Sequence, residues 1–203
     1  TQSRSSAASD VYKRQDRRRA SHAAVTYARI LGHWIHEAAP PAARIFPQAV
    51  LDALCAMDAI AIGEQGIGCY PFSARQTEIH VHFAGKSVHA MCAIDALAIP
   101  RMVRQAARIT ARCVVCRCHL ACSLAANGSV EKEHQNPEAA RVVWESGAGE
   151  GQACCNSLCV NINFVCRHCT TSPGALIFSL PQAAAMGNAF FSFQRRLLGH
   201  YST

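Results

Sequence analysis

Val88-His-Ala-Met-Cys92-Ala-Ile-Asp95-Ala-Leu-Ala-Ile-Pro100 is the stretch on which the fold turns. It opens a segment of helical character over residues 90–108, interrupted at Pro100, where a missing N–H and a ring clash oppose a continuing helix. In a helix Cys92 and Asp95 are three positions apart and share one face. With Cys92 in the first turn, the helix N-terminus favours its thiolate. A carboxyl group beside it can take or deliver a proton. The plainer reading makes Cys92 a small buried hydrophobe and Asp95 a solvated helix residue.

Upstream, residues 76–90 read as a hairpin: Ile79, Val81 and Phe83 alternate, Ala84-Gly85-Lys86 turns, and Val88 resumes. Before it, residues 20–38 form an amphipathic helix ended by Pro40-Pro41, and residues 42–60 a second, starting near Pro47. Gly63, Gly66 and Gly68 break the pattern. Two helices and a hairpin suggest a small winged-helix-like unit.

Downstream come short β-like runs: Ile109–Val115, His119–Leu124, Arg141–Trp144, Cys159–Val165 and Ala175–Leu180. Residues 127–138 read as a polar loop, 146–152 as a flexible connector, and 181–198 as a helix with Pro181 near its start. The expected class is α+β: a helical, winged-helix-like N-terminal part and a mixed α/β core. The expected divisions are 1–15, 16–85 and 86–203. The run Asp10-Val-Tyr-Lys-Arg-Gln15 resembles a translated sequencing adapter, so residues 1–15 are read as a non-native tail.

Composition narrows the function. The 203 residues are 50% hydrophobic and 16% charged, which excludes a disordered chain. Of the +7 net charge, +4 comes from residues 1–19, so a basic face for nucleic acid is not expected on the folded part. No run reaches the ~18–20 apolar residues of a membrane span. No leader pattern is visible, and a cytoplasmic location with reduced thiols is expected.

The string His89-Ala-Met-Cys92-Ala-Ile-Asp95, with the Ala-Leu-Ala-Ile-Pro100 that follows, resembles the active-site helix of alkylmercury lyases (organomercurial lyases). Gly68-Cys-Tyr-Pro-Phe-Ser73 and the hairpin resemble the lead-in to that helix. Ala107-Arg-Ile-Thr-Ala-Arg-Cys113 is similar to the family strand that carries a structural cysteine. Cys159-Val-Asn-Ile-Asn-Phe-Val165 is similar to the strand bearing the second catalytic cysteine. The resemblance spans roughly residues 65–165. It implies a carbon–mercury lyase that converts R–Hg⁺ to a hydrocarbon and Hg²⁺. Cys92 and Cys159 would bind mercury, a soft ion that thiolates prefer, and Asp95 would shuttle the proton. It further implies an organomercurial substrate, no required cofactor, and cellular thiols or a mercuric reductase as acceptor of Hg²⁺. Neither nucleic acid nor a membrane is an expected partner. Met91, Ile94, Phe164 and Phe72 are candidates for an apolar pocket wall, or for ordinary core. The segment Arg167-His-Cys-Thr-Thr-Ser-Pro173 departs from the family pattern, and under a shifted alignment Cys154-Cys155 would supply the second thiol.

A second constellation competes. Cys113-Val-Val-Cys116 and Cys166-Arg-His-Cys169 are two Cys-x-x-Cys pairs, the usual signature of tetrahedral zinc, with Cys118 and Cys122 nearby. Fifty residues separate the pairs and neither has a Gly-rich knuckle. Cys113 is therefore read as a buried family-type cysteine, and Cys116 as accessory or structural. The alternative function is a non-catalytic cysteine-rich protein binding Hg, Zn or Cu on the same scaffold. His33 and His36 lack a third ligand, and His80 and His82 read as a solvated strand edge. A winged-helix DNA reader is disfavoured: residues 42–60 offer only Arg44 and Gln48, opposed by Asp52 and Asp58.

Overall fold

The computed structural model describes residues 22–131, 140–145 and 153–201. The tail, the connector 146–152 and most of the polar loop lie outside them. The first helix, α1 (22–37), buries Tyr27, Ile30, Leu31 and Trp34, positions spaced to fall on one helical face. Trp34 stacks on Phe72 at 5.4 Å and donates its indole N–H to the Ile67 carbonyl at 2.9 Å. Those two contacts fasten α1 to the sheet. The expected helix over 42–60 is shorter. A single 3-10 turn (Ala43–Ile45) precedes α2 (Gln48–Ala56), and Pro47 is the N-cap.

The glycines expected to end regular structure instead shape a hairpin, β1 (Ile60–Gly63) and β2 (Gly66–Cys69). Gly66 has φ +123°, and a Cβ there would sit 2.7 Å from the Pro41 carbonyl oxygen. Only glycine lets the Pro40-Pro41 segment lie this close. β3 (Phe72–Ser73), β4 (His80–Phe83), β5 (Lys86–Ala90), β6 (Ala107–Arg112) and β7 (His119–Leu124) complete an antiparallel seven-stranded sheet, ordered β1-β2-β3-β5-β4-β6-β7. The β4–β5 hairpin has the expected turn, with Ala84 and Gly85 both at positive φ. A division at 85/86 falls inside this turn, and the sheet runs across it. His80 and His82 lie on β4, an interior strand and not a solvated edge.

The central helix is α3 (Ala93–Val103), with every residue buried except Arg101. It does not stop at Pro100. It continues to an αL cap at Arg104, whose N–H bonds to the Pro100 carbonyl. Burial on all sides sustains the helix where local propensity would break it. A three-stranded antiparallel sheet ordered β10-β8-β9 is formed by β8 (Ala140–Trp144), β9 (Ile162–Cys166) and β10 (Leu176–Ser179). Before β9 come the short helix α4 (Cys154–Ser157) and a 3-10 turn (Cys159–Asn161). Cys159 therefore occupies a turn and not the strand, which begins at Ile162.

The helix expected over 181–198 is two helices, α5 (Leu180–Phe190) and α6 (Ser192–Tyr201). A capping box opens α5: Ser179 Oγ accepts the Gln182 N–H at 3.4 Å, and the Gln182 side chain accepts the Ser179 N–H at 2.9 Å. Gly187 gives α5 its close approach to α3, since a Cβ there would lie 2.6 Å from the Ile94 carbonyl oxygen. Among the described residues, no helix is long and apolar enough to cross a membrane.

Candidate active site

Cys92 is the N-cap of α3, one position before the first helical turn. Its sulfur accepts the Asp95 N–H at 3.4 Å, filling the role that a Ser or Asp oxygen usually plays. The same geometry turns the Asp95 side chain towards the helix entrance. The turn before β9 brings Cys159 to that point, where its thiol donates to Asp95 Oδ2 at 3.7 Å. The two sulfurs and a carboxylate oxygen all lie within 4.8 Å of one another. These three residues, the outer two 67 positions apart in the chain, are those the sequence singled out.

All three are buried: Cys92 is 3% exposed, Asp95 5% and Cys159 6%. Burial carries the Asp95 carboxyl from 3.8 up to about 7, although hydrogen bonds from Cys92 and Cys159 pull the other way. Asp95 is thus no solvated helix residue. Burial also pushes the Cys92 thiol well above its ordinary range, helped by the hydrogen bond with Cys159 and the charge of Asp95. The expectation that the helix N-terminus yields a resting thiolate is therefore reversed. Its one favourable donor, the Asp95 N–H, is outweighed by desolvation.

The cluster forms the floor of a cavity of about 580 Å³. The wall is mostly apolar and comes from distant parts of the chain: Tyr27 of α1, Leu54 of α2, Ile94 of α3, Trp144 of β8, Leu158 directly after α4, and Leu197 of α6. Met57, Phe190 and Phe193 line it too and are more than half exposed, which makes its mouth apolar. Of the expected wall residues only Ile94 lines this cavity. Phe72 and Phe164 are buried core, and Met91 faces a separate cavity of about 500 Å³.

A polar bracket stands at one side. Asp58 Oδ2 accepts the Cys154 N–H at 2.8 Å, and the Tyr70 hydroxyl donates to Asp58 Oδ1 at 3.1 Å while accepting the Cys155 N–H at 2.8 Å. It fixes the start of α4, and hence the approach of the chain to Cys159. Cys154 lines the cavity, but its hydrogen bond with Asp58 and its burial push its thiol to about 11. Cys159, not the Cys154-Cys155 pair, completes the cluster with Cys92 and Asp95. Sequence reasoning missed Asp58 and Tyr70, since nothing local marks either.

A family model described as alkylmercury lyase (MerB) matches residues 72–192, more than half of the chain. The chain belongs to the alkylmercury lyase family. It is accordingly an enzyme of a family that acts on organomercurial small molecules. Among solved structures, the crystal structure of the mercury-bound form of MerB2 is similar at 19% identity and a TM-score of 0.64. The match covers 84% of this chain and 91% of that one, and at this identity it speaks for the fold alone. No curated protein sequence matches the chain.

The remaining candidates fall elsewhere. Among the described residues, His33 and His36 join no cluster able to hold a metal. Cys113 and Cys116 stand in a second thiol cluster with Cys118 and Cys166.

Proposed function

We propose that this alkylmercury lyase cleaves the carbon–mercury bond of R–Hg⁺ by protonolysis, with Cys92 and Cys159 as mercury ligands and Asp95 as the proton relay. The observation that carries the reading is the meeting of two thiols and one carboxyl within 4.8 Å at the floor of an apolar cavity. An alkyl or aryl group fits such a wall. Water is largely kept from the floor, where burial strengthens every charge interaction.

Both protons come from the thiols. Mercury binding displaces them, as coordination of a soft ion deprotonates cysteine. One enters solvent, and the other passes to the Asp95 carboxylate along its contact with Cys159. Two thiolates then push electron density onto mercury, and the carbon leaves as it takes the proton from Asp95. The balance is R–Hg⁺ plus two thiols giving R–H, a bis-thiolate mercury(II) and one H⁺. A carboxyl that titrates at about 7 is suited to accept and give a proton near neutrality. No further cofactor enters this scheme. Small cellular thiols or a mercuric reductase would then draw off the Hg²⁺.

Residues 16–85 act as a winged-helix-like cover, and residues 86–203 carry the reacting groups. The placement of Tyr27 and Leu54 on the cavity wall supports the covering role. A role in reading DNA is not supported, since Gln48 of α2 is engaged by Asp52 at 2.7 Å.

Phenylmercury or methylmercury with excess small thiol tests the reading, by headspace gas chromatography of benzene or methane. The parent protein should release hydrocarbon, and Cys92→Ser and Asp95→Asn should not. A folded parent that binds mercury tightly yet releases none would instead be a cysteine-rich metal-binding module.

A further inference from the structure

The β6–β7 connection and the β9–β10 connection meet at one end of the molecule, and each brings a Cys-x-x-Cys pair. Cys113 directly follows β6, and Cys166 closes β9. The sulfurs of Cys113 and Cys169 are 3.8 Å apart, those of Cys116 and Cys166 3.7 Å, and those of Cys166 and Cys169 3.4 Å. A tetrahedron of thiolates at the zinc–sulfur bond length of ~2.3 Å has edges of ~3.8 Å. A disulfide would need ~2.05 Å, and among the described residues none forms.

The backbone is arranged as a ligand knuckle although neither pair contains glycine. The N–H groups of Val115 and Cys116 point at the Cys113 sulfur, and the Cys166 N–H reaches it at 3.4 Å. The His168 N–H does the same for the Cys166 sulfur. The tight turn that this requires is made by Arg117, which takes φ +63° where a knuckle commonly has glycine. Its N–H closes on the Cys113 carbonyl at 3.0 Å, and the Cys113 N–H on the Cys118 carbonyl at 2.9 Å. Arg141 brings positive charge beside the thiols: its guanidinium donates to the carbonyls of Cys166, Arg167 and Cys169 at 3.2–3.3 Å.

The geometry points to a structural Zn²⁺ site in which Cys113, Cys116, Cys166 and Cys169 are the four ligands, separate from the Cys92–Asp95–Cys159 site. Binding converts four thiols and Zn²⁺ into a tetrathiolate complex of charge −2 and releases four protons. Cys118, exposed and within 4.8 Å of three of these sulfurs, stands beside the site as a spare thiol. The ion would join the seven-stranded sheet to the three-stranded one, where Val114 N–H already bonds to the Phe164 carbonyl at 3.0 Å. Cys166 is at the far end of β9 from the Cys159 turn, about 13 Å of strand away. Fixing that end holds the strand that presents Cys159.

The test measures metal on the full chain, produced with zinc available and purified without chelator, by mass spectrometry of the metal content. One zinc per chain is expected in the parent, in Cys118→Ser, and in the double variant Cys92→Ser/Cys159→Ser. Cys113→Ser/Cys166→Ser and Cys169→Ser should each lose it. Cobalt exchanged into the parent should show the intense visible absorption and sulfur charge-transfer bands of a tetrahedral tetrathiolate. That spectrum needs no folded variant. A folded parent that holds only traces of zinc and gives no such cobalt spectrum overturns the site. So does zinc lost from Cys92→Ser/Cys159→Ser while Cys113→Ser/Cys166→Ser retains it. Metal content is read independently of hydrocarbon release, so this inference and the proposed lyase chemistry fail separately.

Discussion

Replacing Asp95 by asparagine should make the protein inactive and, at alkaline pH, more stable. The carboxyl titrates at about 7 in the folded chain against 3.8 ordinarily, because burial disfavours its charge. The folded state therefore holds this proton more tightly than the unfolded state. Below pH ~4 both states are protonated and the full stability is present. As pH rises towards 7 the unfolded chain has already lost its proton, and stability falls by about 1.4 kcal/mol per pH unit. Above pH ~7 the total loss is about 4 kcal/mol. The amide is nearly the same shape, accepts the same Cys159 and carries no charge to desolvate. Guanidinium unfolding with thiols kept reduced should find Asp95→Asn close to the parent at pH 4.5. By pH 8 it should be more stable, by up to ~4 kcal/mol. Benzene release should fall by about 10²- to 10⁴-fold, the usual contribution of a positioned acid or base. Equal stability of the two proteins at pH 8, or a gap that does not widen from pH 4.5 to 8, would refute the buried, proton-holding carboxyl.

Three further substitutions probe the scaffold. Gly187→Ala forces a Cβ to within 2.6 Å of the Ile94 carbonyl oxygen and must part α5 from α3. It should cost about 1–3 kcal/mol in denaturant unfolding and slow turnover, because Asp95 follows Ile94. Trp34→Phe removes the donor to the buried Ile67 carbonyl and should cost about 1–3 kcal/mol by the same measurement. Tyr70→Phe takes the acceptor from the Cys155 N–H. Amide hydrogen exchange should then quicken across 153–158, with a loss of about 1 kcal/mol in overall stability.

The candidate site was legible because its chemistry sits in short strings. Cys92 and Asp95 are fixed relative to each other by one helical turn, and Cys159 was picked out by the resemblance of the segment Cys159–Val165 to the family strand. The hairpin over 80–90 was equally plain, since alternation and an Ala-Gly turn agree. What failed to show depends on contacts distant in sequence. The β1–β2 hairpin reads as a string of breakers until Pro40-Pro41 is seen against Gly66. The passage of α3 through Pro100 rests on burial by α5 and β9, which no local propensity expresses. The cavity wall draws on α1, α2, β8 and α6, so its residues have no common motif. The thiol knuckle was masked because Arg117 adopts the conformation that glycine would have advertised.

The most direct measurement is a single turnover. One equivalent of phenylmercury is added to the fully reduced protein without free thiol, benzene is quantified, and the thiols left open to alkylation are mapped by peptide mass spectrometry. The account predicts close to one benzene per chain, mercury retained by the protein, and Cys92 and Cys159 protected together. Benzene released with either of these two cysteines still open would contradict it. So would mercury held by the Cys113–Cys169 cluster with no benzene formed.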